Sequence, residues 1–141
     1  MANPIGDPEA VEQLADLYHR EARRIDGVSA SAVNALADVE WVGRRATATR
    51  ERVRSRHTEI VAQVAELRSL ARSLEAHARW MRVTIRELRD LEHRIRQWAS
   101  AHPPSPERVG PDSSLIGVYP PDCSLEWRRV AARLRAAGAV F

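Results

Sequence analysis

The sequence predicts an all-α protein: a long, coiled-coil-like antiparallel helical hairpin, followed by a short C-terminal helix on an irregular tail. Two apolar patterns of heptad spacing, one on each side of Trp41-Val42-Gly43, predict the two helices of the hairpin. A glycine at the junction favours a tight turn, because glycine adopts a positive φ at little steric cost. We expect the hairpin to occupy residues 1–100 and the tail to occupy residues 101–141.

The first helix is predicted from about Pro8 to Val39. Asp7 suits the N-cap, and proline suits the first helical position. Gly27 weakens the helix by about 1 kcal/mol relative to alanine, but the heptad phase is the same on both sides of it, which favours one continuous helix. The apolar stripe consists of Val11, Leu14 or Ala15, Tyr18, Ala22, Ile25, Val28, Ala32, Leu36 and Val39.

The second helix is predicted from about Ala46 to Ser100. Seven apolar residues recur every seven positions, namely Val53, Ile60, Leu67, Leu74, Met81, Leu88 and Ile95. A second set falls between them and gives the spacing of a coiled-coil seam, which only His57 and Glu92 interrupt. At 1.5 Å per residue, this helix is roughly 80 Å long and the first is roughly 48 Å long. The two lengths do not match.

This mismatch leaves apolar side chains of the second helix without a partner in the hairpin. If pairing starts at the turn, the first helix ends opposite about Leu74 to Ala78. An additional stripe beside the seam predicts a second contact surface, as in a four-helix bundle. We interpret its residues, Leu70, Val83, Leu91 and Trp98, as a partner interface.

The tail begins where Pro103, Pro104 and Pro106 stop the second helix. Residues 113–119 are expected to be extended. Asp122 or Ser124 is then expected to cap a short helix from Leu125 to Ala137, which Gly138 ends. We expect one face of this helix to fold back onto the distal half of the second helix, and that face consists of Trp127, Val130, Ala131 and Leu134.

Charge is distributed unevenly between the two helices. Residues 1–40 contain eight acidic residues and three arginines, whereas residues 41–100 contain fourteen arginines and seven acidic residues. An acidic helix folded against a basic one is locally complementary, so the sequence pI of about 9.9 overstates the tendency to bind nucleic acid, and nucleic acid is not the expected partner. All 22 basic residues are arginine, which together with the frequent alanine indicates a GC-rich, for example actinobacterial, genome.

The sequence shows no arrangement typical of an enzyme, a cofactor site or a metal site. Cys123 is the single cysteine, and none of the five histidines forms an i, i+3 or i, i+4 pair with another. Phosphate-binding loops and nucleophile elbows are also absent from the sequence. No apolar stretch is long enough to span a membrane, and the first 25 residues do not have the pattern of a conventional signal peptide.

The residues around the turn leave two interpretations open. Six arginines follow it closely, namely Arg44, Arg45, Arg50, Arg52, Arg54 and Arg56. They form either a docking surface or a solvated face balanced by Asp38, Glu40 and Glu51. Trp41 is either a core residue that closes the seam or an exposed anchor, and Trp and Arg are enriched at binding hot spots. We take Trp41, Gly43, Arg44 and Arg45 as the candidate recognition turn.

Trp41-Val42-Gly43, near position 40 and between two amphipathic helices, resembles the WXG-type helical-hairpin family that type VII secretion systems export. The resemblance covers about residues 8–100. It implies a dimer that forms a four-helix bundle, is cytoplasmic before export, and is then secreted or displayed at the cell surface. The family's Y-x-x-x-D/E export signal has no match, since Tyr119-Pro120-Pro121-Asp122 is one residue too short. The resemblance therefore implies the partner that lacks the signal, or an adaptor.

These observations lead to a non-enzymatic hypothesis. The chain is a WXG-like secretion substrate or targeting adaptor that forms a helical bundle with a second helical-hairpin protein or with itself. Further candidate partners are a secretion ATPase and a larger exported protein. Two alternatives stay open: an arginine-rich coiled coil that binds nucleic acid through residues 44–56, and a self-associating cytoplasmic scaffold.

Overall fold

The computed structural model describes residues 4–141, which form three α-helices and one short 3-10 helix, with no strand in that range. Helix α1 spans Pro8–Asp38, α2 spans Arg44–Ala101 and α3 spans Glu126–Ala136, and the 3-10 helix spans Ser113–Ile116. The two long helices pack against each other. The all-α prediction is therefore confirmed.

Helix α1 is continuous through Gly27, as the constant heptad phase indicated. Its fully or nearly buried side chains are small and lie seven residues apart: Ala15, Ala22 and Ser29. Small side chains at a helix contact allow the two axes to approach closely. Of the two candidates for this position of the apolar stripe, Leu14 and Ala15, it is Ala15 that faces α2, whereas Leu14 is 40% exposed.

The turn between α1 and α2 has the conformation that its glycine predicted. Gly43 has a φ of +114°, which an L-amino acid with a side chain rarely adopts. The N–H of Trp41 donates to the carbonyl oxygen of Val39 at 2.8 Å, and the hydroxyl of Thr47 donates to the carbonyl oxygen of Gly43 at 3.2 Å. The first bond satisfies a carbonyl at the end of α1, and the second adds to the bond that the Gly43 carbonyl accepts from the N–H of Thr47.

The described chain divides into two compact units, and α2 runs through both. The hairpin unit comprises Glu9–Ala78, and the tail unit comprises residues 4–8 together with Arg79–Phe141. The hairpin unit thus ends at Ala78, within the stretch where the length of the first helix placed the end of pairing. Beyond it, other parts of the chain cover α2.

The core of the tail unit is formed by α2, the 3-10 helix and α3. Its largest fully buried side chains are Leu88 and Ile95 of α2, Ile116 of the 3-10 helix, and Trp127 and Leu134 of α3. Full burial of an apolar side chain of this size is worth roughly 1.5–3 kcal/mol. The fold-back of the C-terminal helix onto distal α2, expected from the helix-length mismatch, is the arrangement that the structure has.

One local prediction in the tail was wrong. Residues 113–119 were expected to be extended, but Ser113–Ile116 is a 3-10 helix. The Asp112 carboxylate accepts a 2.9 Å hydrogen bond from the backbone N–H of Ser114, which favours a turn over an extended strand. The turn directs Ile116 into the core, where it is only 1% exposed.

The ends of α3 follow the predicted signals. At its start, the Ser124 hydroxyl accepts a hydrogen bond from the N–H of Glu126 at 3.2 Å. At its end, Gly138 has a φ of +96°. The N–H of Ala139 donates to the carbonyl of Leu134 at 2.9 Å, and that of Gly138 to the carbonyl of Arg135 at 3.0 Å. These two bonds form a Schellman motif, which satisfies carbonyls of the last turn.

Candidate protein-interaction site

The candidate recognition turn lies at the tip of the hairpin unit and is accessible. Trp41 is 40% exposed, and Val42, Gly43, Arg44 and Arg45 are also exposed. Neither Arg44 nor Arg45 forms an ion pair within residues 4–141. The turn therefore presents an aromatic side chain next to two guanidinium groups that have no acidic partner in the described chain.

The arginine cluster after the turn is partly structural. The guanidinium of Arg50 donates to the carbonyl oxygens of Leu36, at 3.2 Å, and Val39, at 2.8 Å. Arg56 pairs with Glu59 at 3.1 Å. Two of the six arginines therefore act within the hairpin, and the basic surface near the turn is smaller than the sequence alone indicated.

One flank of the hairpin unit, the polar flank, is closed by two interhelical pairs. The His19 ring lies 2.9 Å from the Glu75 carboxylate, and the Arg68 guanidinium lies 3.6 Å from the Asp26 carboxylate. On α2, Arg68 and Glu75 are seven residues apart, so they lie on the same side of the helix. This flank resembles the charged border of an ordinary coiled coil.

The opposite flank exposes aliphatic side chains, and we call it the apolar flank. Its residues are Leu14, Leu17 and Val28 of α1 and Leu70 of α2, and they are 40%, 43%, 63% and 53% exposed, respectively. The three α1 residues share one stripe at helical spacing. Leu70 lies two heptads after Arg56, and both Arg56 and Val28 line the same groove between the helices. The four positions thus lie on the groove side of the hairpin.

The groove has a volume of about 300 Å³. Its walls are mostly apolar and are formed by Ile25, Val28 and Ala32 of α1 with Val53 and Ile60 of α2. The polar side chains beside it include Ser29 and His57, whose Oγ and Nδ1 atoms lie 2.7 Å apart. Because these two groups satisfy each other, the interruption of the heptad pattern by His57 is compatible with a packed seam.

The predicted partner interface needs a correction. Leu70 and Val83 are exposed, but Trp98 is only 5% exposed and Leu91 packs partly buried against the core of the tail unit. Leu70, Leu91 and Trp98 share one heptad position, yet the tail covers only the distal part of α2. Four residues predicted as one surface therefore lie in different environments. The predicted tail-helix face of Trp127, Val130 and Leu134 is buried in that same core.

Arg96 organises a cluster that the sequence analysis did not identify. Its guanidinium carbon lies 5.3 Å from the ring centre of Trp127 and 5.2 Å from that of Tyr119, and its Nε lies 2.9 Å from the Glu92 carboxylate. The guanidinium also lies 3.7 Å from the Asp122 carboxylate. Tyr119 and Asp122, the residues nearest to an export signal in sequence, thus both contact Arg96. In the sequence, this cluster was indicated by Glu92, a charged residue that interrupts the heptad pattern of α2.

Two other kinds of site, a metal site and a membrane-spanning helix, are not found among the described residues. Among residues 4–141, no group of three His, Cys, Asp or Glu side chains is arranged to hold a metal ion. In the same range, none of the helices combines the length and apolar content that a membrane span requires. In comparisons with known proteins, no family model, curated protein or solved structure matches the chain.

Proposed function

We propose that this chain is a non-enzymatic binding partner: a WXG-like secretion substrate or targeting adaptor that forms a helical bundle with a second helical-hairpin protein. The observation that carries the proposal is the apolar flank of the hairpin unit. Leu14, Leu17, Val28 and Leu70 are each at least 40% exposed there, and Val28 also lines an open apolar groove. Several aliphatic side chains exposed along one flank of a protein commonly mark an interaction site.

The dimensions of the flank favour a helix as its occupant. Leu14 and Val28 are fourteen residues apart on α1, which corresponds to roughly 21 Å along the helix axis. A small molecule in the 300 Å³ groove would cover only one end of this length. A partner helix packed along α1 and α2 covers the whole of it, as in a four-helix bundle.

The turn supports the secretion part of the proposal. Trp41, Arg44 and Arg45 are exposed at the tip of the hairpin, at the position where the resemblance to the WXG-type family places its motif. In this proposal the bundle forms in the cytoplasm, and the turn is the surface that a type VII secretion ATPase or an exported partner contacts. Export as a folded pair then requires both the turn and the apolar flank.

Paired substitutions on the two flanks of the hairpin test the proposal. Leu70→Gln places an amide on the apolar flank. Val61→Gln is the control: Val61 is 44% exposed and lies seven residues before Arg68, so the same kind of change falls on the polar flank. We expect Leu70→Gln to weaken the complex with a co-expressed hairpin partner by about tenfold, since the affected side chain is worth roughly 1.5 kcal/mol when buried. Val61→Gln should change the dissociation constant of the complex by less than about twofold.

Equal weakening by the two variants, or none by Leu70→Gln, would contradict binding through the apolar flank. Co-purification and surface plasmon resonance with any small helical-hairpin protein that a neighbouring gene encodes provide the measurement. If the partner is a second copy of this chain, the same two variants are compared by the dimer dissociation constant in sedimentation equilibrium. A chain that binds neither a hairpin protein nor itself contradicts the proposal.

A further inference from the structure

The tail unit contains an open cleft of about 580 Å³ on the side of distal α2. Residues 6–8 form one wall, and Arg82, Ile85, Arg86 and Arg89 form the other. The four α2 residues follow helical spacing, so they lie along one face over about 10 Å. Ile85 is 8% exposed and contributes apolar surface, while Arg86 and Arg89 are exposed beside it.

The acidic side chains of this part of α2 do not neutralise Arg86 and Arg89. Within Arg79–Ala101 there are three acidic residues, and each pairs with another arginine. Glu87 pairs with Arg128 at 3.2 Å, Asp90 with Arg94 at 3.1 Å, and Glu92 with Arg96 at 2.9 Å. Asp7 and Arg82, which also line the cleft, each have an interaction within the chain. Arg86 and Arg89 form no ion pair in the described chain.

Two guanidinium groups beside an apolar cleft recognise a ligand that carries both carboxylates and an apolar side chain. Arginine binds carboxylates with two parallel hydrogen bonds, and such charge-assisted bonds are stronger than neutral ones. The cleft is open along the helix, which fits a peptide segment lying across it better than a small molecule enclosed on all sides. Arg86 and Arg89 lie three residues apart and match carboxylates one helical turn apart on such a segment.

We propose that this cleft binds an acidic amphipathic segment of the partner protein, with an apolar side chain against Ile85 and carboxylates paired with Arg86 and Arg89. This inference rests on the proposed function in that the segment belongs to the partner. It adds a second contact, in the tail unit, to the one on the apolar flank of the hairpin unit. The two contacts differ in chemistry, since one is apolar and the other is salt-dependent.

The test uses the full chain and a fluorescein-labelled peptide with Glu and Leu at helical spacing. The peptide has about 15 residues, because a helix can form at this length. Fluorescence anisotropy measures its binding to the wild type, to the double variant Arg86→Gln/Arg89→Gln and to the control Arg20→Gln/Arg23→Gln. The control removes two exposed arginines of α1 that form no ion pair in the described chain, so the net charge changes equally.

We expect saturable binding of the Glu/Leu peptide, about fivefold weaker for Arg86→Gln/Arg89→Gln and changed by less than about twofold for the control. A Lys/Leu peptide should not bind, and replacing leucine by glutamine in the acidic peptide should weaken its binding. Failure of the acidic peptide to bind the wild type, or equal losses in both double variants, overturns the inference. Thermal unfolding of each variant verifies that the fold is intact.

The outcomes separate this inference from the proposed function. If the bundle with the hairpin partner forms and depends on Leu70, but the acidic peptide does not bind, only the cleft assignment is wrong. If the peptide binds through Arg86 and Arg89, but no hairpin protein or second copy binds the apolar flank, the proposed function is contradicted while the cleft remains an acidic-peptide site.

Discussion

Arg50 and Val39 join the two helices of the hairpin across the turn: an Arg50 guanidinium nitrogen donates a 2.8 Å hydrogen bond to the Val39 carbonyl oxygen. The Nε atom of Arg50 also donates to the carbonyl of Leu36 at 3.2 Å. Carbonyl groups in the last turn of a helix have no partner within the helix, and a cation there also interacts favourably with the helix dipole. Arg50 therefore caps the C-terminal end of α1 from the neighbouring helix.

Arg50→Met should lower the free energy of unfolding by about 1 kcal/mol, since it removes two hydrogen bonds to backbone carbonyls while keeping an aliphatic stem. Arg52→Met is the matched control, because Arg52 is exposed and forms no ion pair in the described chain. That variant should change stability by less than about 0.5 kcal/mol. Urea unfolding followed by circular dichroism measures both, and equal effects would show that Arg50 does not cap α1 in solution.

Trp41→Ala should separate recognition from stability. Because Trp41 is 40% exposed at the hairpin tip, we expect Trp41→Ala to lower the free energy of unfolding by about 1 kcal/mol or less. The same substitution should abolish docking or export. Trp127, by contrast, is fully buried, and Trp127→Ala should cost about 3–5 kcal/mol. Thermal unfolding and an export assay provide the two readouts. A Trp41→Ala protein as unstable as Trp127→Ala would place Trp41 in the core.

Truncation after Ser105 should destabilise the tail unit. It removes the 3-10 helix and α3, and so exposes Leu88, Ile95 and Trp98, each at most 5% exposed in the full chain. We expect a lower unfolding temperature or aggregation, since exposing each of these side chains costs roughly 1.5–3 kcal/mol. Differential scanning calorimetry and light scattering decide the outcome. A truncated protein that is equally stable and equally soluble would mean that α3 does not cover α2.

Asp112 gives the tail unit a local dependence on pH. Hydrogen bonds from the side chain and backbone of Ser114 lower the pKa of the Asp112 carboxyl below its ordinary value. The ionised form is therefore favoured in the folded state. Its contribution to stability is present above the ordinary aspartate pKa and is lost as the pH falls through the lower folded-state pKa. Ser114→Ala should raise this pKa, as measured by carbon-13 NMR titration of the carboxyl group. An unchanged pKa would contradict the role of the hydroxyl.

Much of the fold could be predicted because it depends on periodicity. The uninterrupted heptad positions from Val53 to Ile95 predicted α2, and a glycine between two apolar patterns predicted the turn at Gly43. The 3-10 helix at Ser113–Ile116 could not be predicted in this way. It depends on hydrogen bonds from the backbone N–H and the hydroxyl of Ser114 to the Asp112 carboxylate, and on the burial of Ile116 in the core of the tail unit.

The candidate site was harder to predict because equivalent positions in the sequence lie in different environments. Leu70 and Trp98 share a heptad position, but the tail covers only Trp98. Arg50 and Arg52 are neighbours of the same chemical type, yet only Arg50 reaches the end of α1. Which side chain a distant segment covers, or which carbonyl an arginine reaches, depends on the three-dimensional path of the chain and leaves no periodic signal.

In the proposed function, a second helical protein covers the apolar flank of the hairpin unit. Size-exclusion chromatography with multi-angle light scattering examines this directly, for the chain alone and for the chain co-expressed with any small helical-hairpin protein that a neighbouring gene encodes. We expect either a stable complex of the two chains or a homodimer, and on dilution this species should dissociate at about tenfold higher concentration for Leu70→Gln but not for Val61→Gln. A monodisperse, stable monomer of 15.9 kDa in both preparations would contradict it.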